Sequence, residues 1–260
     1  MSITKFNNTD QNIIELEDVS IVRDSNTVIR DASCCIPRNQ LTFIVGENGS
    51  GKTSMVSSIL GLLDISSGSI TYNSSTDKEL VIGYVPQKIE FPEHFQLTVT
   101  EYLKYSAHIS KHDLSAVLER VDFPESHLKQ RITELSGGQM QKLLLAAELA
   151  RNPDILFLDE PLSNIDQGSG KHIIDVIMEI KNQGVTIVLI SHDWQLVSSC
   201  ADCVICLSCT SSPNCPCKNS LSEGNRELLQ ITSHNEHVTH EGYCYVQNLY
   251  STPLDYRFWA

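Results

Sequence analysis

Hydrophobic positions along the chain recur in two rhythms. IIELEDVSIV and TVIRDASCCI are β-branched and roughly alternate, and LTFIV, GSITY, LVIGYV, DILFLDE, VTIVLIS and CVICL are short apolar runs of strand length. SMVSSILGLL instead has helical spacing and stops near Gly61, and the segments 98–110, 112–121 and 137–150 also read as helices. Strands alternating with helices predict an α/β domain around a largely parallel sheet. The change of rhythm between Pro86 and Pro153 predicts a helical subdomain, at about residues 88–152, inserted between two core strands. The folded domain is expected over residues 13–208. A polar tail, 1–12, precedes it, and an extension at 209–260 follows that is poorer in periodic structure and richer in Ser, Asn and His.

Composition narrows the function classes. With 32 acidic and 19 basic residues the formal net charge is -13. A nucleic-acid partner needs a basic face, because counterion release supplies most nonspecific affinity, so none is expected here. Direct adhesion to anionic lipid is disfavoured for the same reason. Hydrophobic residues make up 41% of the 260, enough for a sizeable core. MSITKFNNTDQN is polar with no apolar stretch, and the nine cysteines are odd in number. A secreted disulfide scaffold is therefore not expected, and a reducing compartment is. No apolar run reaches the length of a membrane span.

After the strand ending at Val45 come Gly46, Glu47, Asn48, Gly49, Ser50, Gly51, Lys52 and Thr53, and a helix then continues through Ser54. This is G-x-x-x-x-G-K-[ST] in the strand, turn and helix context its mechanism needs. Glycines let backbone N–H groups turn inward around phosphate oxygens, and the helix N-terminus adds partial positive charge. Lys52 is the group to reach the β- and γ-phosphates, and the Thr53 hydroxyl the group to bind Mg²⁺. Alone, the motif specifies a nucleoside triphosphate and no more. ILFLDE ends in Asp159 and Glu160 at the carboxyl end of a buried strand, where ligands of such sheets sit. Asp159 suits Mg²⁺ and Glu160 suits polarising an attacking water, although an Asp-Glu pair is also an ordinary way to open a loop. LSGGQ, with Ser136, Gly137, Gly138 and Gln139, opens a predicted helix; by itself it also reads as an N-cap before a flexible turn.

In their order and approximate spacing, GENGSGKT, Gln87 in GYVPQ, LSGGQ, ILFLDE and His192 in LISHDW resemble the ATP-binding cassette (ABC) family over most of residues 13–208. The resemblance implies an α/β P-loop NTPase of ABC type, with a mostly parallel sheet, an antiparallel β subdomain and the inserted helical subdomain. It implies ATP hydrolysis with Mg²⁺: nucleotide held by residues 46–54 and Gln87, Mg²⁺ by Thr53, Gln87 and Asp159, and catalysis by Glu160 and His192. It further implies a head-to-tail homodimer, in which Ser136, Gly137, Gly138 and Gln139 meet the ATP held by a second subunit. SNID, at residues 163–166, corresponds to the family's loop across the dimer interface. Arg23 stands where many members stack an aromatic residue on adenine, and a guanidinium can also stack on a purine.

In a transporter, a single cassette without a span must borrow its pore from a separate integral membrane permease. IGYVPQKIEFPEHFQLTV is similar to the zinc, manganese and iron uptake branch of the family, and FPEHFQLTVTEYL is the segment where such ATPases receive the permease. The leading expectation is the ATPase subunit of a metal-ion importer, for zinc or manganese, held through its permease at the cytoplasmic face of the plasma (inner) membrane. An extracytoplasmic metal-binding receptor would then be an indirect partner. The alternative is a soluble ABC ATPase of iron-sulfur cluster assembly. Six of the nine cysteines fall between Cys200 and Cys217. Cys200, Cys203, Cys206 and Cys209 recur every third residue, but in a strand that spacing alternates faces, so Cys203 and Cys206 are expected to be small buried hydrophobes. Cys209, Cys215, Cys217, His234, His237, His240 and Cys244 offer soft ligands for a candidate Zn²⁺ site, without a standard finger spacing.

Overall fold

The computed structural model describes residues 11–75, 78–89, 91–92, 94–107, 111–163, 165–207, 227–232 and 241–246. In chain order its elements are strands β1 (Asn12–Arg23), β2 (Asn26–Pro37) and β3 (Leu41–Val45), helix α1 (Lys52–Ile59), strands β4 (Ser67–Tyr72) and β5 (Ile82–Val85), and helices α2 (Val99–Ala107), α3 (Lys111–Arg120) and α4 (Gly137–Leu149). β6 (Ile155–Asp159), α5 (Gln167–Asn182), β7 (Thr186–Ile190), α6 (Trp194–Cys200), β8 (Cys203–Cys206), β9 (Glu227–Thr232) and β10 (Glu241–Val246) follow. They fall into two compact units, Met1–Ser75 with Ile190–Ala260, and Thr76–Leu189.

In the first unit β1 is the middle strand of an antiparallel sheet, ordered β2-β1-β4. A second layer is built on β3 and β8, which pair in parallel with Thr42 opposite Cys203 and Val45 opposite Cys206. Asp202 fastens that register, because its carboxylate accepts from the Leu41 N–H at 2.8 Å while its own N–H donates to the Leu41 carbonyl at 3.0 Å. Every residue of β3 is buried, and Phe43, Ile44, Met55 and Ile59 are at most 1% exposed. LTFIV, four apolar residues and a buried threonine with no polar alternation, is what a strand covered on both faces requires. The extension contains regular structure that its composition hides: β9 and β10 pair antiparallel, and β10 pairs antiparallel with β8. That pairing satisfies a row of backbone groups which β8 would otherwise present as an edge.

Cys203 and Cys206 are 0% and 1% exposed, as a strand of small apolar residues implies. Cys34 and Cys35 of β2 are buried too. Burial pushes the Cys35 thiol up to about 12, with neighbouring Cys203 adding to the shift, and drives Cys34 higher still. These thiols stay protonated and act as packing atoms. Cys209, Cys215, Cys217, His234, His237 and His240 lie outside the described residues, and so does the side chain of Cys244 in β10.

Where β4 meets β1 the ladder slips register between Glu17 and Ser20, and Gly68 approaches the kink with φ +86°. A Cβ there would stand 2.4 Å from the Asp18 carbonyl oxygen. Backbone cannot yield as a side-chain tip can. Gly68→Ala should therefore cost about 1–3 kcal/mol of stability, read as a lowered urea midpoint with the slope unchanged.

In the second unit β5 and β6 pair in parallel, Ile82 to Val85 opposite Ile155 to Leu158, with β7 next to β6. Both β6 and β7 are buried along their whole length. The segments expected as helices at 98–110, 112–121 and 137–150 are α2, α3 and α4. Thr98 starts α2 by exchanging bonds with Glu101, whose carboxylate accepts from the Thr98 N–H at 2.8 Å and hydroxyl at 2.7 Å. Lys142 of α4, 8% exposed, donates to the Asp122 carboxylate and carbonyl at the end of α3. Compactness does not isolate residues 88–152, since β5, β6, α5 and β7 cluster with the helices. Arg120 of α3 shows why: its guanidinium reaches the Glu179 carboxylate at 3.1 Å and donates to Gln183 Oε1 at 2.7 Å, tying α3 to the end of α5. Among the described residues no helix is long and apolar enough to cross a membrane.

Candidate functional site

The first unit carries the phosphate-loop sequence on a β3, turn and α1 frame. The Ser50 N–H donates to the Glu47 carbonyl at 3.1 Å, and the Met55 N–H to the Gly51 carbonyl at 2.8 Å, which closes the first helical bond. Gly51 sits at φ +97°, and a Cβ there would lie 2.8 Å from Val28 Cγ1 and 3.0 Å from Ile29 Cγ1. Only glycine lets β2 press against the loop in that conformation. Lys52 is 7% exposed, and its ammonium donates to the carbonyls of Gly46 and Glu47, each at 2.9 Å. The loop thus curls around a buried cation, while the Thr53 side chain is exposed. His192 follows β7 and is exposed; the next residue, Asp193, caps α6 by accepting from the Gln195 and Leu196 N–H groups. Arg23 ends β1 at the hairpin, exposed and 3.9 Å from the Asp24 carboxylate.

The acidic pair lies in the second unit. Asp159 closes β6 and is 3% exposed, and Glu160 turns out of the strand with φ 46°. Glu160 shares the left-handed region with seven other non-glycine residues among those described, at a cost of about 1–2 kcal/mol. Gln87 Nε2 donates to Glu160 Oε2 at 2.8 Å, joining two residues 73 positions apart. Beside them burial pushes Tyr84 up to about 12, and the Asp159 charge adds to the shift. Asp166, from SNID, caps α5 by accepting from the Ser169 N–H at 3.0 Å, and that bond holds its carboxyl below the usual range. Asn164 of the same loop lies outside the described residues.

Sequence patterning missed Gln141. It lies on α4, is 5% exposed, and its Nε2 donates to the carbonyls of Gln87 at 3.2 Å and Pro86 at 3.4 Å. The one local signal was a polar amide among Leu143, Leu144 and Leu145 on a buried helix. Gln141 connects the helix that begins at the signature segment to the backbone of the residue that holds Glu160. Gln141→Leu keeps the volume and removes the donor. It should lower kcat about 3–10-fold with ATP affinity unchanged, checked by steady-state turnover beside equilibrium ATP binding.

Ser136 caps α4 with φ −65° and ψ 161°; its Oγ accepts from the Gln139 N–H at 3.3 Å, while Gln139 Oε1 accepts from the Ser136 N–H at 2.8 Å. The N-cap reading of LSGGQ holds here: a reciprocal capping box fixes a helix start made of two glycines. A groove of about 1020 Å³ runs along α4 and the segment after β5, lined by Gln87, Phe91, Leu135, Met140, Gln141 and Leu144 among others. Phe91 and Phe95 stack at 5.4 Å, and Phe91 meets the edge of Tyr102 at 6.4 Å, while Phe95 and Tyr105 stay 37% and 68% exposed. Phe91 therefore lines the groove, and Phe95 stacks on it while partly exposed.

A family profile described as ABC transporter matches residues 29–163, just over half of the chain. The chain belongs to the ABC transporter family. It is 36% identical over 207 residues to the zinc import ATP-binding protein ZnuC of Vibrio cholerae serotype O1, covering 77% of each. To the protein of the same name from Rickettsia bellii it is 36% identical over 232 residues, covering 86% of this chain and 97% of the relative. A solved dimeric ATP-binding cassette, MJ0796 in a post-hydrolysis state with ADP and Pi, matches with a TM-score of 0.66 at 22% identity, over 75% of this chain and 94% of that one. Likeness at that identity speaks for the fold, which is the α/β ABC ATPase architecture. This ABC protein is an ATP-binding, ATP-hydrolysing subunit. Among its described residues no group of three or more His, Cys, Asp or Glu side chains converges as a metal cluster.

Proposed function

We propose that this ABC ATPase powers import of a transition-metal ion, zinc ahead of manganese, through a separate membrane permease. What carries the choice of metal is the naming of relatives at 34–36% identity as zinc import ATP-binding proteins. Residues 46–54 would hold ATP, with the Lys52 ammonium exchanging its loop carbonyls for phosphate oxygens. Thr53, Gln87 and Asp159, by their hydroxyl, amide and buried carboxylate oxygens, would hold Mg²⁺, and the ion would supply charge neutralisation to the phosphates. Glu160, oriented by Gln87, would accept the proton of the attacking water, and His192 would bond the γ-phosphate. Arg23 would stack on adenine.

Two copies are proposed to pair head to tail, so that Ser136, Gly137, Gly138 and Gln139 of each meet the γ-phosphate held by the other. The bare N–H groups at the start of α4 favour an anion, which supports that reading. The permease would dock in the groove beside Phe91 and Met140, placing the protein at the cytoplasmic face of the inner membrane. The Cys and His set from Cys209 to Cys244 is proposed as a Zn²⁺ sensor on the strength of its ligand chemistry alone. Purification from the native host decides between transport and iron-sulfur assembly. The full chain should bring down a polytopic membrane protein; recovery of a soluble scaffold protein in its place would overturn the transporter reading.

A further inference from the structure

The start of α4 is intrinsically weak, because Gly137 and Gly138 occupy its first turn and glycine is the poorest helix former short of proline. Gln139 compensates through both ends of its side-chain amide. Its Oε1 is committed to the Ser136 N–H, so its Nε2 faces outward, and that nitrogen lies 3.1 Å from Nε2 of His127. An amide NH₂ can only donate, so the ring nitrogen opposite must accept and the ring proton resides on Nδ1, which lies 3.3 Å from Ser126 Oγ. The ring is set on the other side by the buried Phe123, in an edge contact at 6.0 Å and 69°. His127 itself ends a 3-10 turn, Glu125–His127, whose Glu125 carboxylate accepts from Ser115 of α3. The helix cap is thereby anchored to neighbouring structure and is not self-contained.

We infer that His127 is a positioning residue for the signature segment: by accepting from Gln139 it fixes the capping side chain, and with it the direction of the Gly137 and Gly138 N–H groups. The inference rests on the reading that this segment meets ATP across a dimer. His127 is bonded to Gln139 and is none of the residues assigned to the nucleotide held by its own chain, so removing the ring acceptor leaves ATP binding to the monomer intact while slowing closure and turnover.

The test uses the full chain. His127→Leu should lower kcat and ATP-driven dimer formation by about three- to tenfold, with ATP affinity of the monomer unchanged. His127→Gln, whose carbonyl can stand where Nε2 stood, should recover most of that loss; a role in packing alone would not distinguish Gln from Leu. Ser136→Arg serves as the reference variant and should abolish dimerisation. If Ser136→Arg is inactive while His127→Leu keeps native turnover, or if His127→Gln is no better than His127→Leu, the inference is overturned by itself. If Ser136→Arg dimerises and turns over normally, the trans reading of the segment falls, and the inference falls with it.

Discussion

Glu160→Gln is expected to bind ATP as the native chain does while its turnover falls by about 10²–10⁴-fold, the share of a positioned general base. The substitution is nearly isosteric. Gln87 Nε2 keeps an oxygen to donate to at the position where it now meets Glu160 Oε2, 2.8 Å away, and the left-handed backbone at φ 46° is no worse for glutamine than for glutamate. What disappears is the capacity to take a proton from water. In the proposed head-to-tail pair hydrolysis would be the step that reopens the dimer, so the variant should accumulate as an ATP-bound dimer, seen as a doubled mass in light scattering with Mg²⁺ and ATP. Native turnover in this variant would remove Glu160 from the chemistry.

Lys52→Ala should act a stage earlier and lower ATP affinity by about 10²-fold, the loss of two charge-assisted hydrogen bonds. The ammonium already makes two bonds of 2.9 Å to the loop carbonyls, so the site is preorganised and ATP needs only to exchange those partners. Fold and stability should change little, because the helix start is closed by the Gly51 carbonyl rather than by Lys52. Lys52→Arg should not rescue binding: a planar guanidinium cannot sit at the centre of a curled loop built for a compact cation. Equilibrium binding of ATP to the three proteins separates these outcomes, and native affinity in Lys52→Ala would contradict the assignment.

Much of this was readable from local pattern. Runs of four apolar residues in five became β3, β6 and β7, and glycine placement marked the phosphate loop, because those signals depend on neighbours in sequence. Gln87 and Glu160 were each identified, yet their hydrogen bond spans 73 positions and only the fold creates it. Gln141 and His127 were missed for the same reason: each looks like an ordinary polar residue until its partner, at Gln87 or Gln139, is in place. The strands β9 and β10 escaped because six-residue segments among Ser, Asn and His carry little periodic signal, and it is the pairing of β10 with β8, earlier in the chain, that adds them to the sheet.

Energy-coupled metal uptake is the central claim, and radioactive ⁶⁵Zn²⁺ accumulation tests it most directly. Native-host cells lacking this gene should take up zinc again when supplied with the native chain, and should fail to do so with Lys52→Ala or Glu160→Gln present at equal abundance. Zinc uptake that is the same with the gene, without it, and with either variant would contradict the account.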